Sequence, residues 1–520
     1  MAMAATAILT GGGVRVVTRV LQDAARDQPH KVAILFEDRG YTYSELWARG
    51  RRAASVLRGA GVGPGDTVLV MLENTIHFLD AWFGIALLGA IQVPVNTAYR
   101  GEILRHQVKN SDARVMVVES KFVQLVDALD NDHGMLERLL VCEGRVESHF
   151  QTDLWEAAFD GARELPDGDL PEPQEHEIVA IMYTSGTTGP SKGVRVAHAH
   201  AYTYANLAGQ ILELDREDVY YAPLPLFHIA GQWALVYACF QVGATAVVRR
   251  RFSATDFWAV IRETGATVTF LLGAMANFLA RQDPRSDDAD NPLDRVMLVP
   301  LVADLEDFSA RFGVRVSTCY GSTEASVPLA AAFGVTDPTV AGRPVPGFEV
   351  RIVDDHDREV SAGDVGELIV RTDEPWLLAT GYHANPLATV DAFRNQWLHT
   401  GDAFRRDAEG NYYFVDRIKD YIRRRGENIS SFEVEREVNT FPAVLESAAV
   451  AVPSPHTEDD LKVVVVAKPG MTVDPAELRE YLRARVPRFM VPDIVEIHAE
   501  LPKTPTGKIQ KHLLRDPLRP

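Results

Sequence analysis

The chain has 520 residues, 46% apolar and 24% charged, a globular composition that excludes a long disordered protein. One hydrophobic core stops growing at about 250–300 residues, so at least two domains are predicted. The 72 acidic side chains outnumber the 53 basic ones, for a formal charge of −19, which disfavours nucleic acid as a partner.

Cysteine is scarce: Cys142, Cys239 and Cys319, with no CxxC pair. That spacing supports neither a disulfide framework nor a structural zinc site, and it fits a reducing, cytoplasmic setting. The first residues, MAMAATAILTGGGVRVV, lack a basic start and are interrupted by glycines, so they read as a lead-in and not a signal peptide. No run of about 18 apolar residues is present, so no membrane span is expected.

Strand-like and helix-like stretches alternate through most of the chain. Amphipathic segments run over 43–59 and 257–265, and apolar runs over 67–71, 113–118 and 244–248. This alternation predicts α/β architecture with largely parallel sheets. Residues 160–177 and 283–292 are rich in Pro, Gly and acids and read as surface connections. From Gly342 short β-type runs appear (349–353, 366–370), predicting a β-rich module that closes the large domain. Beyond Asp416 a small α+β unit is expected, with a helix from Ser431, strands at 447–452 and 462–467, and a helix over 474–485. There Asp474 is the N-cap and Pro475 the first helical residue. The expected domains are thus 1–416 and 417–520.

The sharpest chemical signal is Tyr183-Thr-Ser-Gly-Thr-Thr-Gly-Pro-Ser-Lys-Gly193, which follows the apolar run 178–182. Gly186, Gly189 and Gly193 permit positive φ and close backbone approach, and successive N–H groups in such a loop form an anion-binding nest. Thr184, Ser185, Thr187 and Thr188 add hydroxyl donors and Lys192 a charge, a set suited to nucleotide β- and γ-phosphates. The Walker pattern is absent, because Gly193 follows the lysine, and no GxGxxG dinucleotide fingerprint follows the first strand.

This loop resembles the phosphate-binding signature of the adenylate-forming superfamily of acyl-CoA synthetases, carrier-protein adenylation domains and luciferases. Further matches come in the family's order. They are Tyr320-Gly-Ser-Thr-Glu324, Thr400-Gly-Asp402, Asp416-Arg-Ile-Lys-Asp420 with Gly426, and Pro502-Lys-Thr-Pro-Thr-Gly-Lys508. The stretch Arg424–Glu435 is closest in look to carnitine-type and other small-acid CoA ligases. The resemblance implies a large N-terminal domain of stacked α/β sheets plus a β-rich module, with a small mobile α+β C-terminal domain. It also implies an AMP-forming ligase that uses ATP, Mg²⁺ and coenzyme A.

By that resemblance Thr184 to Thr188 and Lys192 hold phosphates, and Glu324 holds Mg²⁺ against them, as a carboxylate with phosphate oxygens does elsewhere. Tyr320 and Gly321 lie near adenine and Thr323 at the α-phosphate. Asp402 accepts from the ribose hydroxyls, the part acidic residues take in other nucleotide folds, and Arg417 donates to the ribose. Lys508 bridges carboxylate and α-phosphate. Phe227, His228, Gln232, Trp233 and Ser326 wall the acyl pocket, and Lys419, Gly426 and Glu427 form the hinge and thiol tunnel. One departure stands out: where the family carries a small-residue segment like Gly-Gly-Ala-Pro-Leu, this chain has Val299-Pro-Leu-Val-Ala-Asp304. That change puts the usual pocket shape in question. The other endpoints these motifs allow are a carrier-protein thiol as acceptor, or activation of an oxyacid such as nitrite for transfer to an amine, as a diazotase does. A non-catalytic homologue is disfavoured, because Lys192, Glu324, Asp402 and Lys508 are all retained.

Overall fold

The computed structural model describes residues 15–129, 132–184, 191–418, 422–424, 427–453, 459–483, 485–504 and 507–515. They form two compact units. One holds the chain up to Val350 together with Val370–Leu398; the other holds Arg351–Ile369 and the residues from His399 on.

The first unit is built on two sheets. A seven-stranded sheet runs in the order Gln151–Leu154, Arg138–Cys142, Val115–Glu119, Thr67–Met71, Ile91–Pro94, Ile178–Thr184, Lys192–Ala197. Its pairs are parallel except the last. Every residue of Val115–Glu119 is buried, as expected of a central parallel strand covered on both faces. The second sheet is parallel from Arg315–Ser322 through Arg295–Val299, Val268–Leu272, Val219–Tyr221 and Thr245–Val248 to Val32–Phe36. Antiparallel strands Ser326–Ala331 and Arg39–Thr42 flank that run.

Helices fill the space between these sheets. Tyr43–Gly59 packs on strands Val32–Phe36 and Arg39–Thr42, Ile76–Leu87 packs on Thr67–Met71 and Ile91–Pro94, and the two helices pack on each other. Ile76–Leu87 is buried at every position except His77, the pattern of a helix enclosed on all sides. The helices approach closely because Gly84 faces Ala53; a Cβ at Gly84 would lie 2.7 Å from that of Ala53. Tyr43–Gly59 begins where it does because of a capping box: Thr42 Oγ1 accepts from Glu45 N (3.2 Å) and Glu45 accepts from Thr42 N (2.7 Å). On the far side of the second sheet, Phe257, Ile261, Leu305, Phe308 and Phe312 form an outer core with Leu298 and Val316.

In the second unit, Leu398–Arg406 and Tyr412–Arg417 form an antiparallel hairpin. Helix Ser431–Asn439 comes next, N-capped by Ser430, whose side chain accepts from Glu433 N (3.1 Å). Strands Val444–Pro453, Asp459–Ala467 and Ile494–His498 make a small sheet, and Pro475–Arg483 packs Leu478 and Leu482 into its core. The expected division after Asp416 differs from this packing, which groups 351–369 and 399–416 with the C-terminal residues. The reason is local: Asp416 accepts from Ser431 N (2.7 Å) and Ser430 Oγ donates to Val415 O, so the hairpin's end is tied to the next helix. Among the described residues no helix is long and apolar enough to cross a membrane.

Candidate active site

Strand Ile178–Thr184 and strand Lys192–Ala197 pair antiparallel, with Thr184 opposite Lys192. These two residues therefore bracket the Gly-rich loop at its base. Ser185, Gly186, Thr187 and Thr188 lie outside the described residues. Two polar contacts brace the bracket: Tyr183 Oη donates to Asn110 (2.7 Å), and His106 Nε2 meets Ser191 O at 2.9 Å. Burial pushes the Tyr183 phenol well above its ordinary range, so it stays a donor. Gly193 is required by contact, since a Cβ there would stand 2.7 Å from Ile181 Cγ2 and 3.1 Å from the Tyr183 ring.

The second signature folds against this base. Thr184 Oγ1 donates to Glu324 Oε1 (3.5 Å), and Tyr382 Oη donates to the same oxygen (3.1 Å). The Lys192 ammonium sits 4.5 Å from the centroid of the Tyr382 ring. Thr184, Lys192, Glu324 and Tyr382 thus form one cluster with a carboxylate, an ammonium and two hydroxyls. No sequence motif singles out Tyr382. It arrives because residues 380–383 lie along Lys192–Ala197: Arg195 N donates to Gly381 O (2.9 Å) and His383 N to Gly193 O (2.7 Å). The one local signal is Gly381, at φ +118, a conformation that only glycine adopts readily.

Tyr320 and Gly321 close strand Arg315–Ser322, and Thr323 is buried beside Glu324. Ser326 is fully buried in the left-handed region (φ 60), and a Cβ at Gly321 would lie 2.3 Å from Ser326 O. That tight turn presents the Glu324 side chain to Thr184.

Phe227 and His228 are half-buried just ahead of a π-helix, Ala230–Tyr237, whose residues are all buried. His228 Nδ1 accepts from Ala230 N (3.2 Å). π-helical turns concentrate at functional sites. Trp233 is buried with the aromatic residues of helix His198–Ile211. Gln232 lies deeper: with its amide oriented to satisfy both sides, it donates to Leu226 O (3.1 Å) and accepts from Trp82 Nε1 (2.9 Å).

The remaining predicted residues belong to the second unit. Asp402 is buried at the start of the hairpin, its N–H donating to Thr400 Oγ1 (3.1 Å) and its carboxylate 3.2 Å from Arg417 Nε, the residue opposite in register. Glu367 steadies this turn by accepting from Gly401 N (2.9 Å) and contacting His399 Nδ1 (2.8 Å). Lys508 is exposed on a stitched loop, where Thr504 N donates to Lys508 O (2.6 Å) and Lys508 N to Thr504 Oγ1 (3.0 Å). Lys419, Gly426 and the side chain of Glu427 lie outside the described residues; the Glu427 backbone pairs with Arg424.

Comparison with known proteins identifies the assembly of these motifs. The family model of AMP-binding enzymes matches residues 21–383, and that of their C-terminal domain matches residues 433–508. The chain is a member of the AMP-binding enzyme family. A crotonobetaine/carnitine–CoA ligase of Citrobacter koseri is 32% identical over 513 residues, covering 95% of this chain and 97% of its own length. Among solved structures, a benzoate CoA ligase from Burkholderia xenovorans shares 26% identity at a TM-score of 0.86, covering 96% of this chain and all of its own. An anthranilate CoA ligase in complex with anthranoyl-AMP has the same fold, with a TM-score of 0.87 over 96% of both chains at 24% identity.

Within this AMP-binding enzyme the unusual segment 299–304 puts its apolar bulk into a hydrophobic core. Leu301 and Val302 are buried in the outer core with Leu298, Leu305 and Phe308, and Asp304 is exposed. Gly273 packs under the segment, and a Cβ there would lie 2.8 Å from Pro300 O.

Proposed function

We propose that this AMP-binding enzyme activates a small carboxylic acid as its acyl-AMP and then transfers the acyl group to coenzyme A. It is an AMP-forming ligase of the acyl-CoA synthetase type, like the full-length relatives it matches. In the first half-reaction a carboxylate oxygen attacks the α-phosphorus of ATP, and the bond to pyrophosphate breaks. In the second, a thiolate attacks the acyl carbon and AMP leaves.

The observation that carries the reading is the Thr184–Lys192–Glu324–Tyr382 cluster at the base of the Gly-rich loop. Lys192 and the loop amides offset phosphate charge, which is the main task in phosphoryl and nucleotidyl transfer. Glu324 Oε1 is held by two hydroxyls, and this orients the carboxylate as a ligand. Magnesium suits such a place, because it binds through one or two carboxylates plus substrate phosphates. Among the described residues no cluster of three metal-ligating side chains offers an all-protein cage. Bound there, the ion would neutralise charge on the phosphates. Asp402 and Arg417 serve the ribose, and Lys508 the α-phosphate and attacking carboxylate. Phe227 and His228 line the acyl end.

Product analysis tests the reading. With an accepted acid, MgATP and coenzyme A, mass spectrometry should show acyl-CoA, AMP and pyrophosphate in equal amounts. An acyl-AMP that coenzyme A never consumes, but a carrier thiol or an amine does, would overturn the assignment of the acceptor.

A further inference from the structure

Glycine takes a positive φ more readily than any other residue, and it also has the most backbone freedom to lose. Gly401 stands at φ +71 between Thr400 and Asp402, and a Cβ there would meet nothing within 4 Å. The turn therefore needs glycine for its conformation and not for lack of space. Such a turn presents Asp402 accurately only if groups outside it hold its backbone.

Residues 367 and 368 of the second unit do so. Glu367 Oε1 accepts from Gly401 N (2.9 Å), and Thr400 Oγ1 donates to Leu368 O (2.7 Å). The same Thr400 oxygen accepts from Asp402 N (3.1 Å). Glu367 is itself oriented, because its Oε2 lies 2.8 Å from Nδ1 of His399, whose side chain is 2% exposed. An ionised carboxylate only accepts, so Nδ1 carries the proton of that bond. On its other side the His399 ring turns Nε2 toward the Asp357 carboxylate, at 3.9 Å.

The chain of contacts runs from His399 through Glu367 and Gly401 to Asp402, the carboxylate assigned to the ribose. Asp402 is buried, with Arg417 Nε 3.2 Å from it. Ribose hydroxyls take no part in bond-making at the α-phosphorus. A contact to them binds ground state and transition state alike, so its loss appears in KM and not in kcat.

We infer that Glu367, held by His399, is a positioning residue for ribose recognition. It fixes the Gly401 turn so that Asp402 meets the hydroxyls, and it thereby sets the preference for ATP over a deoxynucleotide. The inference rests on the ligase reading above and on Asp402 as the ribose acceptor, and it deepens both.

Pyrophosphate exchange on the full chain tests it, with an accepted acid and ATP, 2′-deoxy-ATP or 3′-deoxy-ATP. The unmodified protein should prefer ATP by about 10- to 100-fold in kcat/KM, the worth of a hydrogen bond to a charged group. Glu367→Gln sets an amide N–H against one of the two donors. It should raise KM for ATP about tenfold, leave kcat within about twofold, and bring the preference to within a few-fold of one. His399→Leu should act in the same direction, and His399→Asn, whose amide keeps a donor near the Nδ1 position, should restore the preference. Thermal melts report folding, and the two His399 variants decide if Glu367→Gln does not fold. Asp402→Asn separates the inference from the reading beneath it. A preference lost in Asp402→Asn but kept in Glu367→Gln and His399→Leu overturns the inference alone. So does a fall in kcat that is equal for all three nucleotides, the mark of a merely structural role. No preference in the unmodified protein, or none lost in Asp402→Asn, overturns the ribose assignment and the inference together.

Discussion

Tyr382 shows how much a single hydroxyl carries at the base of the phosphate loop. Its ring underlies Lys192 and its Oη holds Glu324 Oε1 at 3.1 Å. Tyr382→Phe keeps the ring and removes the hydrogen bond. Bonds to charged groups contribute about 1.5–3 kcal/mol, so adenylation should slow by roughly tenfold or more. The melting temperature should hardly change, because the segment's backbone pairing with Lys192–Ala197 remains. Pyrophosphate exchange measures the first effect and a thermal melt the second; an unaltered exchange rate would mean that Glu324 needs no second hydroxyl. Thr184, Lys192 and Glu324 were legible in the sequence because their motifs are contiguous. Tyr382 was not: it lies nearly sixty residues from Glu324 and reaches it only through strand-like pairing.

At the scale of elements, the loop bearing Lys508 is anchored by the turn immediately C-terminal to it. Lys511 donates to Ser431 Oγ and pairs with Glu435 (2.9 Å), and Glu435 also accepts from Ala449 N (2.7 Å). Burial raises the Glu435 carboxyl, and the nearby Lys511 opposes that rise. Lys511→Met would leave this carboxylate without its cation, at a cost of about 3 kcal/mol, the low end for a buried pair because both groups keep some exposure. Adding Glu435→Leu should recover most of that loss, since removing both charges is far cheaper than removing one. Urea denaturation of the single and double variants decides: a double variant as unstable as the single would mean that the pair is not a buried unit. Several elements matched their predicted extents. Helix Tyr43–Gly59 has both predicted ends, set by Thr42 at its start. Phe257–Thr264 stops at Gly265, which takes φ +68. The π-helix at Ala230–Tyr237 was not legible, because apolar periodicity in a fully buried run does not distinguish helix types.

For the whole molecule, the residues assigned to catalysis fall in both compact units. Thr184, Lys192, Glu324 and Tyr382 lie in the first, and Asp402, Arg417 and Lys508 in the second. If Lys508 serves only the adenylation step, its loss should be selective. Lys508→Ala is expected to slow pyrophosphate release by on the order of 10²–10³, the usual loss for one preorganised charge-stabilising donor. Thioester formation from added acyl-AMP should fall much less. Separate assays of the two half-reactions check this, and equal losses would make Lys508 a general binding residue.

The sequence by itself determined the α/β class, the multidomain plan and the family, because those depend on periodicity and on short contiguous motifs. Tertiary structure decided what those motifs could not express. It grouped 351–369 with the C-terminal residues, turned the bulk of Leu301 and Val302 into the outer core, and brought Tyr382 to Glu324. The physical reason is common to all three. A motif states which groups are available, whereas burial and pairing across the sheets set which of them meet.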